Sequence, residues 1–268
     1  MASSLGLVVG LALALVTMSH HGDGGRAVAG DHCQPTLLRV GVATPVAAPW
    51  FDGDPADGSG FESALIKELI RQLGIPASHV TYVAAPAEQV LGGHGARGWD
   101  IAVSQYRDPG AVQGVRFSRG YLGVPQALVT IQRDLRPKRV ADLSGTRLAV
   151  VSGSAGEAVA ARSKRTGPAP SAYPGLGALG QALRSGRERT VVVDLPDAAA
   201  LVRSTPHARM IGLVRSLRSP SELRVVVPEG SPFLRCVDQG LADLQSAGTL
   251  EALERQWLRG RWGARMLD

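Results

Sequence analysis

The clearest periodic signal in the chain is FESALIKELIRQLG at residues 61–74. Leu65, Leu69 and Leu73 recur there at i, i+4 and i+8, with Ile66 and Ile70 beside them. One apolar stripe of that period predicts a helix, and Gly74 followed by Pro76 ends it. Elsewhere apolar residues come in short unbroken runs, which predict buried strands at 37–42, 80–84, 100–103, 127–131, 147–151, 190–193 and 223–227. Further helices are expected from Ser154, where Glu157 would complete a capping box, at 195–202, and around 233–245 and 250–258. Strands alternating with helices predict an α/β chain of mainly parallel sheets with helices on both faces. The alternation restarts near Ala141, which suggests two lobes.

Composition leaves that picture in place: 268 residues, 44% hydrophobic and 19% charged, suit one large domain or two small ones. Aromatic residues make up 4%, so the core must be aliphatic. Residues 5–16 read LGLVVGLALALV, too short to span a bilayer as a mature helix. The run fits the apolar core of a secretory signal, and Ala27-Val28-Ala29 supplies the small residues of a cleavage site. Residues 1–29 are therefore expected to be a signal peptide and the mature chain to be exported, to the extracellular space or to the cell surface or periplasm. Gly30-Asp31-His32 do not make Cys33 a lipoprotein cysteine. In an oxidising compartment the two cysteines, Cys33 and Cys236, are expected to form one disulfide. The net charge of +6 comes without a basic run, and aromatics are too sparse for base stacking. A solvated surface is the reading, not a nucleic-acid partner.

Few motifs carry chemistry. Residues 93–98 match G-x-G-x-x-G, but they lead into a strand instead of following one, so they are a loop and not a dinucleotide site. Ser152 stands in the first glycine slot of G-x-S-x-G, which excludes a nucleophile elbow. The same stretch reads equally as a plain helix cap or as a nest of amides for a carboxylate. Asp194, at the end of TVVV, reads equally as a helix N-cap or as the acceptor of a ligand cation at a strand end. No metal-ligand spacing and no catalytic triad stand out, and no cofactor is implied. The densest polar stretch is SQYRDPGAVQGVRFSRGY at 104–121, placed after a buried-looking strand.

Taken together, the blocks APWFDG, GFESALIKELIRQLG, the strand from Asp100, FSRGY, QALVT, ADLSGTRLAVVSGS, VVVDLP and the segment from SPFLRC to RQWL occur in an order that resembles the extracellular solute-binding proteins of amino-acid ABC transporters. The resemblance covers about residues 37–258. It implies the two-lobed type II periplasmic-binding-protein fold, each lobe a mainly parallel sheet flanked by helices, joined by two hinge strands. The expected division is 30–131 and 222–268 for the first lobe and 132–221 for the inserted second, with QALVT and LRVVV crossing the hinge. The resemblance also implies capture of a small polar ligand, an amino acid or relative, by a monomer that presents it to a membrane permease. The ligand set it implies is Trp50, Ser104 and Gln105, with Tyr121 from FSRGY, then Ser154 and Ala155 for an α-carboxylate and Asp194 for an α-ammonium. The family's carboxylate-gripping arginine is missing: aligning FSRGY leaves Ala111 in its slot, and Arg107 is the nearby replacement. No catalysis is expected. The alternatives are a fold-related exported dehydratase acting on a cyclic amino-acid precursor, for which Glu62 and Asp108 are the loose acid candidates, and a ligand sensor without transport.

Overall fold

A computed structural model describes residues 33–92, 98–110, 112–163, 168–215 and 221–267. The expected leader, nearly all of the G-x-G-x-x-G turn and Ala111 lie outside them. Among the described residues ten strands form two five-stranded sheets. The chain begins with β1 (Leu38–Val42), α1 (Phe61–Gln72), β2 (Val80–Ala84), α2 (Ala87–Leu91), β3 (Ile101–Ala102) and β4 (Val115–Gly123). It crosses at Val124 and Pro125 into β5 (Gln126–Thr130), β6 (Ala149–Val151), α3 (Ala155–Arg162), β7 (Ser171–Tyr173), α4 (Leu176–Arg184), β8 (Thr190–Asp194), α5 (Leu195–Ser204) and β9 (Arg209–Val214). It then returns as β10 (Glu222–Pro228), α6 (Phe233–Ser246) and α7 (Thr249–Leu253).

The sheets have matching orders, β2-β1-β3-β10-β4 and β7-β6-β8-β5-β9. In each, one strand runs against the rest: β10 is antiparallel to β3 and β4, and β5 to β8 and β9. Each reversed strand is the one the chain enters after crossing, so the sheets are mixed and not simply parallel. The apolar strands alternate between two covered faces. Ala127, Val129, Val191 and Val193 join the large core that also holds α1 and α6, while Leu128 and Val192 face a smaller cluster with Val150 and Val159. Continuous apolar runs are what strands buried on both faces require.

Three expectations change. QALVT, expected in the first lobe up to 131, is β5, in the middle of the second sheet between β8 and β9. All five of its residues are buried, which suits a central strand better than a hinge crossing. The 222–268 segment does not stay wholly with the first sheet: the Leu213 amide donates to the Arg265 carbonyl at 2.8 Å and the Leu267 amide to the Leu213 carbonyl at 2.7 Å, so residues 265–267 lie against β9. β4, nine residues long, was not expected at all; its arginines and its shifted register against β10 hide the strand pattern. The second crossing includes residues 216–220, outside the described ones.

Cys33 and Cys236 are joined in a disulfide with a Cα–Cα separation of 5.6 Å. The bond fastens the segment before β1 to α6. Among the described residues no helix is long and apolar enough to cross a membrane.

Candidate functional site

The loop after β3 carries Ser104, Gln105, Tyr106 and Arg107. It is stitched to the hinge end of β10: the Arg224 amide donates to the Tyr106 carbonyl at 2.8 Å, and Arg107 forms an isolated bridge with Leu223. Ser104 Oγ accepts from the Ala43 amide at 2.8 Å, tying the loop to the end of β1. Gln105 sits at φ 52°, a left-handed conformation that non-glycine residues adopt at a cost. Glu62, in the first turn of α1, holds it there. Its carboxylate accepts from the Gln105 amide at 2.7 Å, from Gln105 Nε2 at 2.6 Å and from the Tyr121 hydroxyl at 2.5 Å. Glu62 is fully buried. Burial pushes its pKa up to about 7, while the hydrogen bonds from Tyr121 and Gln105 pull the other way.

The second lobe faces this loop with strand ends. Asp194 ends β8 and precedes α5, yet its carboxylate does not cap that helix. It accepts from Gln126 Nε2 at 2.5 Å and pairs with Arg107 Nη2 at 3.0 Å. That ion pair joins the lobes, as does a bond from Arg203 Nη1 on α5 to the Ala48 carbonyl at 2.7 Å. Asp197, on the first turn of α5, has its pKa raised by burial, lowered by Arg107's charge and raised again by Asp194's. Ser154 precedes α3 without forming the expected capping box. Its hydroxyl is instead buried with no partner among the described residues, and so are Arg107 Nε and Gln126 Oε1. Ser154 Oγ and Gln126 Oε1 both lie close to Gly156, on the first turn of α3. Buried polar atoms without partners are costly, and a binding site is one place where they persist.

The expected ligand residues divide into two groups. Ser104, Gln105, Arg107, Ser154, Ala155 and Asp194 stand on the strand ends and helix start around the junction of the lobes. Trp50 and Tyr121 are buried in the core of the first lobe instead, each packed near the Phe61 ring at centroid distances of 6.0 and 6.2 Å. There they support the floor under Glu62. Sequence reasoning overlooked Gln126, Asp197 and Arg203. A glutamine opening an otherwise apolar buried strand was the available signal for Gln126. Asp108, the other loose acid candidate, uses its carboxylate to accept from the Gly110 amide at 2.9 Å in its own exposed turn. Among the described residues no group of three His, Cys, Asp or Glu side chains is placed to hold a metal ion. Around Arg107 the arrangement offers two acids, Asp194 and Asp197, with amide and hydroxyl groups near them, across a joint between lobes.

The sequence profile described as bacterial extracellular solute-binding proteins, family 3, matches residues 38–260. No curated protein sequence matches. Among solved structures, substrate-binding domain 2 of Lactococcus lactis GlnP in its open conformation is 18% identical, with 84% of this chain and 96% of that one covered and a TM-score of 0.57. The second substrate-binding domain of a putative amino acid ABC transporter from Streptococcus pneumoniae is 15% identical over 82% of this chain and 99% of that one, with a TM-score of 0.55. An ancestral cyclohexadienyl dehydratase is 24% identical over 84% of this chain and 93% of that one, with a TM-score of 0.53. At these identities the likeness is one of fold.

Proposed function

We propose, from the premise that this chain belongs to the bacterial extracellular solute-binding proteins of family 3, that it is exported, captures a zwitterionic amino acid or close relative between its lobes, and delivers it to an ABC-transporter permease. One observation carries the ligand class: the Arg107–Asp194 pair across the joint, with Gln126 on the same carboxylate. A zwitterion inserted there gives its carboxylate to Arg107 and its ammonium to Asp194, replacing one ion pair by two and leaving neither charge unmet. Gln126 Oε1, Ser154 Oγ and Arg107 Nε supply further hydrogen-bonding capacity. Arg107 thereby takes the role of the arginine that the family carries where this chain has Ala111, and its planar fork is what a carboxylate needs.

Titration calorimetry over a panel of amino acids and simple anions tests this. Arg107→Ala is expected to weaken the best amino-acid ligand by about 2 kcal/mol or more, the scale of a charge-assisted hydrogen bond. Asp194→Asn is expected to cost a comparable amount with amines and little with an anion lacking the ammonium. Wild-type affinity in Arg107→Ala would remove the carboxylate clamp, and a panel without any amino-acid binding would remove the ligand class. The dehydratase alternative needs an acid that reaches a substrate. Glu62 is enclosed by Gln105 and Tyr121, which favours a positioning role, and product analysis after incubation with each bound ligand is expected to return it unchanged.

A further inference from the structure

A second concave site lies on the other lobe surface, away from the joint. Gln126 is level with Asp194 and Val214 at the joint end of β5, whereas Thr130 is level with Arg209 at the opposite end. The two ends are roughly 14 Å apart along the strand. At the Arg209 end a pocket of about 440 Å³ opens between β9, the 136–138 segment and the last turn of the chain, which rests on β9. Four cationic side chains line it: Arg136, Lys138, Arg209 and Arg265, with Trp262 as the aromatic wall.

The cations are held together by structure. Arg209 Nη2 donates to the carbonyls of Gln132, Arg133 and Leu135 at 2.7, 3.0 and 2.8 Å. These bonds fix the turn that presents Arg136, whose Nη1 donates to the Arg133 carbonyl at 2.5 Å. Among the described residues none of the four makes an ion pair. Among the described residues Asp142 is taken by Arg139 and by the amides of Lys138 and Arg139, and Asp134 acts on Arg209 without pairing. Burial and the charge of Arg136 both disfavour the protonated Arg209, so these two cations repel one another as they stand. The Trp262 indole N–H, buried and without an acceptor among the described residues, adds a donor.

We infer that this pocket is a second ligand site, for a small soluble molecule carrying more than one phosphate-type group. Three guanidinium groups and an ammonium around one pocket exceed what a single carboxylate neutralises. Guanidinium forks match phosphate oxygens two at a time, and lysine adds a point charge. A bound polyanion relieves the repulsion and bridges the body of the second lobe to Trp262 and Arg265, at the end of a chain segment that arrives from the first.

The probe is inorganic pyrophosphate, titrated calorimetrically into the full chain at about 150 mM salt, where exposed charges are largely screened beyond roughly 8 Å. The wild type is expected to bind one equivalent saturably. Lys138→Ala/Arg265→Ala changes two side chains that make no ion pair among the described residues, and is expected to weaken pyrophosphate at least tenfold while keeping the same circular dichroism and the same amino-acid binding. Trp262→Phe is expected to abolish the pyrophosphate-induced change in tryptophan fluorescence. An absence of saturation at millimolar pyrophosphate, or equal affinity in the double variant, overturns the site. Vesicles of anionic phospholipid form the second arm. If they retain the wild type but not the double variant, and pyrophosphate does not release it, the soluble ligand class is wrong and the headgroup of a membrane lipid is the source.

Discussion

At Glu62 a carboxylate stays buried because three donors converge on it, and its service is to hold Gln105 in a conformation the backbone does not favour. The arrangement has a pH signature. The pKa of Glu62 in the folded chain is about 7, against 4.5 for the free side chain, so the native state holds the proton over an interval in which the unfolded chain has released it. The stability this group contributes is therefore full below about pH 4.5 and is lost as pH rises through about 7. Glu62→Gln removes the titration while keeping one accepting oxygen; the Gln105 amide can flip to receive the new N–H₂. Between about pH 4.5 and 8 the unfolding free energy of the wild type is expected to fall by about 3 kcal/mol more than that of the variant. Urea denaturation at a series of pH values checks it, and parallel profiles would show that Glu62 does not titrate in this range.

Elements differ in how plainly they were written in the sequence. α1 was legible because one stripe at helical spacing lies against α6, and β8 because its apolar run ends in a lone Asp194. β4 was not, since exposed arginines at 116 and 119 interrupt its apolar run. The lobe boundary was misread at QALVT because an unbroken apolar run says that a strand is buried, not which sheet buries it. The site was legible in part for a related reason. Arg107 and Asp194 sit at strand ends, which a linear reading can locate, whereas the roles of Glu62 and Gln126 depend on partners 43 and 68 residues away in the chain. The disulfide was legible from residue count and the expectation of an oxidising compartment. It closes a span of 203 residues, for which chain entropy sets a ceiling of about 5 kcal/mol on the stabilisation. Cys33→Ser/Cys236→Ser is expected to lose about 2–4 kcal/mol in guanidinium unfolding of the oxidised protein. An unchanged midpoint would mean that the segment before β1 contributes nothing to cooperativity.

The whole molecule is two sheets of matching order that trade their reversed strands across the joint, and the trade is unequal in time. Every strand of the second sheet's main body, β5 to β9, lies in one uninterrupted stretch, while the first sheet has a gap between β3 and β4 until β10 arrives to fill it. Ala102 has to wait for Val226, with the entire other lobe between them in the chain. Long-range pairings of that kind form late because the loop must close before any contact rewards it. During refolding, pulse-labelled hydrogen exchange is expected to protect the amides of β6 and β8 before those of β3 and β10, and simultaneous protection would contradict this order. A chain threaded N-terminus first through a membrane would thus present its first lobe earliest and complete it last, leaving that lobe as the interval in which a chaperone or protease finds its target.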